Sequence, residues 1–369
     1  METWKKIRLG SACRTNTDSY SPKEKWDFVN YLDTGNITNN TIDSIQFIDL
    51  TKEKLPSRAR RKVRTDSIVY STVRPNQHHF GIIKSQPENF LVSTGFTVID
   101  VDTNVLNADF LYYLLTQNTL VEALHAIAEQ STSAYPSIKP SDIENLEIEI
   151  PDILTQKKIA NILNSLDGKV TQNNEINKNL EQQAQAIFLK MFPDIFSTSA
   201  SSSFQNLIGF SNGKKRPEAI GDIPVYGGNG ILAYTNQSNA ENCVIIGRVG
   251  AYCGNTFLCS EKCWTSDNAI QAKSKNEDSQ LFIYYLLRNA SLPSRHIGTG
   301  QPLMTQAILN AVPVNEPSTQ EIRFFINVCT PLHEIIFANE KQNISLTLLR
   351  DTLLPKLMSG ELDVSDIDL

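Results

Sequence analysis

Two long stretches of the chain place apolar or small residues at alternating spacings of four and three. This heptad pattern predicts helices that pack along one seam. The first series is Ile159, Leu163, Leu166, Val170, Asn173, Asn177, Leu180, Ala184, Ile187 and Met191, and the second is Phe325, Cys329, Leu332, Ile336, Asn339, Asn343, Leu346, Arg350, Leu353 and Leu357. Each member of the second series lies 166 positions after its counterpart, as Phe325 does after Ile159. The pattern therefore predicts two helices that repeat each other.

The repeat extends beyond the helices. Pro302 follows Pro136 at the same offset, and the run FLYYLL at residues 110–115 returns as FIYYLL at residues 282–287. A period of this length predicts two domains rather than a solenoid. The sequence thus predicts a first head at 1–150, a central helix at 151–193, a second head at 194–317 with a serine-rich linker at 197–203, and a distal helix with an acidic tail at 318–369.

An asparagine on a helical seam lowers the stability of the helix pair unless its side chain meets a polar partner. An antiparallel arrangement of the two helices satisfies this need by pairing the asparagines with each other. The predicted pairs are Asn173 with Asn343 and Asn177 with Asn339. The same register sets Arg350 against Leu166, which is a poor match, and Gly168 and Pro355 weaken the prediction of uninterrupted helices.

Antiparallel pairing predicts a dumbbell with quasi-twofold symmetry and one head at each end. A helix from position 159 to 191 is about 48 Å long, more than one turn of B-DNA at ~34 Å. Each head contains short β-branched segments and few helices, which predicts an α+β fold: two heads of mixed α and β structure joined by two long antiparallel coiled-coil helices.

The two heads contain comparable strand segments. Residues 66–75 of the first head and residues 242–250 of the second are each predicted to form a strand followed by a turn. Arg74 and Arg248 are predicted to occupy equivalent positions in these two segments. A second predicted strand pair comprises residues 93–99 and 265–271.

Composition indicates a globular protein of more than one domain, with 369 residues, 40% of them hydrophobic. A net charge of −6 argues against a protein that coats nucleic acid, so any contact with DNA must be local. Residues 52–64 supply a local basic run, whereas the tail carries Glu361, Asp363, Asp366 and Asp368. Six irregularly spaced cysteines, and a start without an apolar leader, predict a cytoplasmic protein outside the membrane.

Several segments resemble a known family. We name those of the first head the arginine segment (55–61, LPSRARR), the proline segment (71–75, STVRP) and the glycine segment (93–96, STGF). Residues 224–230 (PVYGGNG) in the second head, and 156–160 and 353–362 in the helices, complete the set. Together they resemble the target-recognition domains and the helical regions of type I restriction-modification specificity subunits, over essentially the whole chain.

The resemblance implies a non-catalytic subunit whose heads each read one half of a split DNA target. Its helices would hold two modification subunits, which methylate adenine, and restriction or motor subunits would cleave unmodified DNA in the full complex. This chain would bind no cofactor; S-adenosylmethionine, ATP and magnesium are expected on the partners.

Twelve residues are candidates for contact with double-stranded DNA. They are Arg58, Arg60, Arg61, Lys62, Thr72, Arg74, Lys214, Lys215, Arg216, Tyr226, Asn229 and Arg248. Arginine binds phosphate or a guanine edge in a bidentate manner, but a charge run is more often a solvated surface, and a lone arginine can cap a turn.

Other chemistry finds little support. The cysteines at 243, 253, 259 and 263 match no zinc ribbon, and the glycines at 227, 228 and 230 lack the spacing of a phosphate loop. The Tyr112–Tyr113 and Tyr284–Tyr285 pairs could stack on bases, although packing is the better interpretation. No catalytic or metal site is predicted. The alternatives are a coiled-coil scaffold with protein-binding heads and, with less support, a stand-alone DNA methyltransferase.

Overall fold

The computed structural model describes residues 4–131, 135–197, 200, 202–276, 279–298, 300–364 and 367. Part of the predicted serine-rich linker (198, 199 and 201) and of the acidic tail (Asp366 and Asp368) lies outside the described residues.

The first head is built mainly from short strands. These are β1 (Lys5–Arg8), β2 (Cys13–Thr15), β3 (Phe28–Leu32), β4 (Ile37–Thr38), β5 (Thr41–Ile42), β6 (Gln46–Asp49), β7 (Ala59–Arg61), β8 (Ser67–Ser71), β9 (Phe80–Ile83), β10 (Phe90–Ser93), β11 (Phe96–Val101) and β12 (Glu147–Ile150). The helices are α1 (Ala108–Leu115), α2 (Asn118–Glu129), α3 (Pro140–Glu144) and the long α4 (Ile153–Met191).

The second half of the chain follows the same plan. Its elements are β13 (Ser202–Ser203), α5 (Phe204–Leu207), β14 (Ile208–Asn212), β15 (Ile223–Gly227), β16 (Gly230–Thr235), β17 (Ala240–Gly247), β18 (Thr256–Thr265), β19 (Ala269–Ser274), α6 (Gln280–Asn289), α7 (Gln306–Asn310), β20 (Pro313–Val314) and α8 (Thr319–Met358). Both long helices are continuous, α4 through Gly168 and α8 through Pro331 and Pro355. None of the described helices is long and apolar enough to cross a bilayer.

Contacts divide the chain into two units, and each unit takes part of both long helices. Unit 1 comprises Met1–Gln172 and Gln342–Leu369, and unit 2 comprises Asn173–Lys341. The chain division predicted from sequence treats heads and helices as separate segments. In the structure, the first head folds with the first half of α4 and the end of α8, and the second head folds with the remaining parts.

Each head contains a sheet with the same order of four strands. In unit 1 the order β2-β11-β8-β9 forms one four-stranded sheet and β6-β3-β10-β7 another. Unit 2 has a six-stranded sheet with the order β14-β19-β17-β18-β15-β16. Its first four strands match β2-β11-β8-β9 in order and in antiparallel pairing, apart from bulges. The repeat seen in the helices therefore extends to the heads.

One predicted strand pair is wrong in its boundaries. Residues 93–99 are not a single strand, because Thr94 and Gly95 turn the chain from β10 into β11. Residues 265–271 likewise contain a turn, formed by Ser266, Asp267 and Asn268 between β18 and β19. Period-two alternation of side chains does not distinguish a strand from two strands joined by a tight turn, and here the turn carries the site described below.

The predicted helical seam is confirmed within each unit, because none of its residues is exposed. In unit 1, Ile159 and Leu163 join a core with Leu357. In unit 2, Ala184 packs in a core with Phe325 and Cys329. Asp167 of α4 pairs with Arg350 of α8 in unit 1, and in unit 2 Asn177 bonds Asn339 while Phe188 contacts Phe325. Higher positions on α4 thus meet lower positions on α8, so the two helical segments run antiparallel in each unit.

One predicted asparagine pair forms in unit 2. Asn339 Nδ2 donates to Asn177 Oδ1 at 2.8 Å, and Asn177 Nδ2 donates to the carbonyl of Ile336 at 3.4 Å. The pairing of Asn173 with Asn343 stays a prediction.

Arg350, the poor match in the predicted seam, has acidic partners in unit 1. Its Nη1 lies 2.7 Å from Asp167 Oδ1 and its Nη2 lies 2.7 Å from Asp351 Oδ1. Tyr113 Oη donates to the second oxygen of Asp167 at 2.8 Å, which ties α1 to both helices. The sequence-based register missed this network because it considered only opposed seam positions.

We expect Arg350→Ala to lower the free energy of unfolding by about 1–2 kcal/mol, because Asp167 would lose its charge partner at a half-buried site. Urea denaturation of the full chain measures this change. Lys341→Ala is the control, since Lys341 and its partner Glu261 are 65% and 68% exposed and such a pair contributes only a few tenths of a kcal/mol. Equal effects of the two substitutions would contradict the account.

The repeated tyrosine pairs attach each head to its helix, which confirms the packing interpretation. Tyr113 bonds Asp167 in unit 1, and Tyr285 Oη bonds Nε2 of His333 at 2.8 Å in unit 2. Asp167 and His333 are 166 positions apart, so the same contact is made with different chemistry. Burial lowers the pKa of His333 to about 4, and the imidazole is therefore neutral at physiological pH.

Candidate nucleic-acid interface

The three segments of the first head that carry the resemblance lie side by side. The backbone N–H of Thr94, in the glycine segment, donates to the carbonyl of Arg58 at 2.8 Å. The backbone N–H and hydroxyl of Thr72, in the proline segment, donate to the carbonyl of Gly95 at 2.8 and 2.9 Å. Strand ends from both sheets of the head therefore meet at the Thr94–Gly95 turn.

Side chains of neighbouring segments fill the space beside Gly95 that a β-carbon would occupy. A β-carbon at Gly95 would overlap the guanidinium of Arg58 and the methyl group of Thr34. The guanidinium of Arg58 therefore lies across bare backbone while the residue stays exposed. This places one candidate cation directly beside the proline segment.

The basic run divides into paired and unpaired cations. Lys62 lies 2.5 Å from Glu24 and over the ring of Trp26, and Arg64 lies 3.3 Å from Asp100. Arg61 is half-buried, and burial lowers its pKa. These side chains are paired or half-buried within the head, which weakens the prediction that Arg61 and Lys62 contact DNA.

Three candidate cations of the first head form no salt bridge among the described residues: Arg58, Arg60 and Arg74. Arg58 and Arg74 are exposed, and Arg60 is half-buried. The guanidinium of Arg74 lies 5.5 Å from the ring of Tyr135, which is itself 61% exposed. Of the candidates in this head, Arg58 and Arg74 are therefore the exposed cations without a described salt bridge, and they belong to two of the segments that meet at the Thr94–Gly95 turn.

The second head builds a similar cluster at the turn between β18 and β19. Ser266 N–H donates to the carbonyl of Tyr226 at 2.9 Å, and Lys214 N–H donates to the carbonyl of Thr265 at 3.0 Å. Arg248 Nη1 donates to the carbonyl of Asp267 at 3.3 Å. The ends of β14, β15 and β17 thus meet at this turn, just as strand ends meet at Gly95.

The candidates of the second head differ in exposure. Lys214, Lys215, Arg216 and Asn229 are exposed, and Arg248 is half-buried. Tyr226 packs against the buried cluster that contains Cys243 and Cys263, and burial raises its pKa. Its ring belongs mainly to the core, so the exposed loop cations are the stronger candidates.

The cysteines of this head lie in the core. Cys243 Sγ and Cys263 Sγ are 4.0 Å apart, with Cys259 beside them, and all three residues are buried. No group of three or more His, Cys, Asp or Glu residues in the described part of the chain is arranged to hold a metal ion.

The predicted equivalence of Arg74 and Arg248 is wrong. Ile138 N–H donates to the carbonyl of Thr72 at 2.9 Å, and Met304 N–H donates to the carbonyl of Arg248 at 2.8 Å. The two donors are 166 residues apart, which is the offset of the repeat. Arg248 therefore corresponds to Thr72.

The counterpart of Arg74 is a glycine. Arg74 N–H donates to the carbonyl of Pro136 at 3.0 Å, and Gly250 N–H donates to the carbonyl of Pro302 at 2.9 Å. Both residues have positive φ, +48° at Arg74 and +74° at Gly250. Aligning Arg74 with Arg248 by residue type had therefore misaligned the two loops by two residues.

Two heads with one sheet order, each carrying exposed cations at a turn where strand ends converge, define a protein with duplicated recognition domains. Residues 1–182 and 209–337 match the family described as "Type I restriction modification DNA specificity domain". The chain belongs to this family, and its recognition from sequence is confirmed.

Two curated relatives are specificity subunits. The chain is 32% identical over 194 residues to the type I restriction enzyme HindI specificity subunit of Haemophilus influenzae, which covers 53% of this chain and 42% of that protein. It is 24% identical over an alignment of 418 positions to the MjaIX specificity subunit of Methanocaldococcus jannaschii, with 98% and 94% of the two chains covered. The chain thus spans less than half of the first relative and nearly all of the second.

A solved structure supports the fold. The S subunit of a type I restriction-modification system from M. genitalium matches with a TM-score of 0.58 at 19% identity, covering 96% of each chain. This likeness confirms the α+β architecture with long helices.

Proposed function

We propose that this chain is the DNA sequence-specificity subunit of a type I restriction-modification complex, in which each head reads one half of a bipartite target. The duplicated turn is the observation that carries this proposal. In both heads the turn that leads into the matching strands β11 and β19 contacts segments that carry exposed cations, Arg58 and Arg74 in one head and Lys214 to Arg216 in the other. Cations on loops held by a rigid sheet suit contact with phosphates and base edges.

The length of the helices supports a split target. The 39 residues of α4 span about 58 Å at 1.5 Å per residue, more than one ~34 Å turn of B-DNA. The length of the helices would then set the number of unspecified base pairs between the two half-sites.

Catalysis in this proposal belongs to partner chains. Two modification subunits docked on the helices would methylate adenine with S-adenosylmethionine, and restriction or motor subunits would use ATP and magnesium. Exposed apolar residues in the C-terminal half of α8, Ile344 and Leu348, support protein docking there. The six buried free thiols support a reducing compartment, and we place the assembly in the cytoplasm, where the DNA is.

Mapping of methylated adenines tests this function. The chain is produced with its modification subunits in a bacterial host that lacks adenine methylation, and the genome of that host is the probe. We expect methylation at one split, asymmetric motif, which is lost when this chain is omitted. Methylation that does not depend on the chain would favour the alternative of a scaffold with protein-binding heads.

A further inference from the structure

The backbone at Arg74 is unusual for its residue type. Its φ of +48° lies in the left-handed region, where a β-carbon crowds the following carbonyl and which glycine adopts freely. Six of the ten non-glycine residues with positive φ in the described chain are Asn or Asp, which tolerate this conformation. Arginine has no such advantage, so the local backbone would be relaxed by glycine.

The second head shows that the loop does not require an arginine there. Gly250 occupies the equivalent position, with φ of +74° and an equivalent bond to Pro302. A β-carbon at Gly250 would meet no atom of the described residues within 4 Å, so the second loop has space for a side chain but does not carry one.

The side chain of Arg74 contributes little to packing in its own head. The residue is exposed and forms no salt bridge among the described residues. Its described ring contact is with Tyr135, which is 61% exposed. A strained residue whose side chain supports no core is a sign of function, because the fold alone would not retain it.

Each head carries one arginine in this loop, at positions two residues apart. The first head has Thr72 and Arg74 where the second has Arg248 and Gly250. We infer that Arg74 is a specificity-determining residue of the first head and contacts a guanine edge in the first half-site. In the second head, Arg248 would contact the second half-site from the position that is equivalent to Thr72. Guanine is the base that arginine contacts most often, through two parallel hydrogen bonds.

The inference rests on the proposed function and explains how two related heads can read different half-sites. Because the cation projects from backbone positions two residues apart, equivalent docking of the two heads would bring the guanidinium to different bases. The difference between the half-sites would then arise partly from the position of the arginine in the loop and partly from the surrounding side chains.

The test compares Arg74→Gly with a matched control. Lys25→Gly removes the same charge and relieves the same left-handed strain, at φ of +53°, on an exposed residue of the same head. Both variants are assembled with the modification subunits for mapping of methylated adenines, and the full chain of each is unfolded by heat. We expect both unfolding temperatures to equal or exceed that of the wild type.

In the methylation map, Arg74→Gly should lower discrimination at one base pair of the first half-site by about tenfold or more, with the second half-site unchanged. Lys25→Gly should leave the motif intact, and Arg248→Thr should relax the other half-site. If the wild type yields a split motif and Arg74→Gly keeps it, the inference is overturned while the proposed function stands.

Two further results would overturn the inference. Uniformly weaker methylation with an unchanged motif would assign Arg74 to a phosphate. An unfolding temperature of Arg74→Gly clearly below that of Lys25→Gly would assign the side chain to the fold. Absence of any motif with the wild-type chain is a different result, because it contradicts the proposed function itself.

Discussion

Replacing Lys214, Lys215 and Arg216 together with glutamine is expected to weaken binding of the assembled complex to its target on the order of 10²-fold near 0.1 M salt. All three residues are exposed and form no salt bridge among the described residues. The loop itself is fixed, because Trp264 Nε1 donates to the carbonyl of Lys214 at 3.2 Å. The substitutions therefore remove charge without removing the turn.

The dependence of affinity on salt identifies the cause. Each phosphate contact that is lost should reduce the slope of log affinity against log salt by about 0.9. Fluorescence anisotropy with a labelled target duplex measures that slope. Lys262→Gln with Lys273→Gln is the control, since both lysines are exposed within strands β18 and β19 and should leave the slope unchanged. An unchanged slope in the triple variant would remove this loop from the interface.

The substitution Gly247→Ala is expected to cost the second head about 3 kcal/mol of unfolding free energy. A β-carbon there would overlap the carbonyl oxygen of Tyr252 and lie 3.1 Å from the α-carbon of Gly228. Both obstacles are backbone atoms, so the loop that carries Arg248 would have to move. Recognition of the second half-site should be lost together with the stability.

Tryptophan fluorescence during urea denaturation isolates this effect. The chain has three tryptophans, and in a background with Trp4→Phe and Trp26→Phe the signal comes from Trp264 in the second head. Gly228→Ala is the control, because its β-carbon would lie 3.5 Å from that of Tyr252, an ordinary contact. Equal destabilisation by the two substitutions would show that the crowding at Gly247 does not limit this head.

The periodic part of the architecture could be predicted from the sequence. Heptad spacing and the 166-residue offset led to two long helices, their antiparallel direction and the bond between Asn177 and Asn339. These features depend on residues that contact each other at fixed intervals, and such intervals are visible in a sequence. The pairing of Arg350 with Asp167 was missed because it lies one position away from the predicted register.

The site could be predicted only in part. The segments that meet at Gly95 were each recognised, but their mutual contact depends on tertiary structure. The basic run gave no sign that Lys62 is paired with Glu24, 38 residues earlier, or Arg64 with Asp100. Arg74 and Arg248 were matched by residue type, whereas the backbone bonds to the 136–138 and 302–304 segments show that they differ by two positions. Loop alignment is set by hydrogen bonds, which residue identity alone does not reveal.

The central claim is that each head reads its own half of the target, and an exchange of heads tests it most directly. Residues 1–150 are replaced by the corresponding head of another specificity subunit of the family, and methylated adenines are mapped with the same modification subunits. The account predicts a new motif in which the half-site of the exchanged head changes, while the half-site read by the unexchanged head stays the same. A motif that changes in both halves, or in neither, would contradict it.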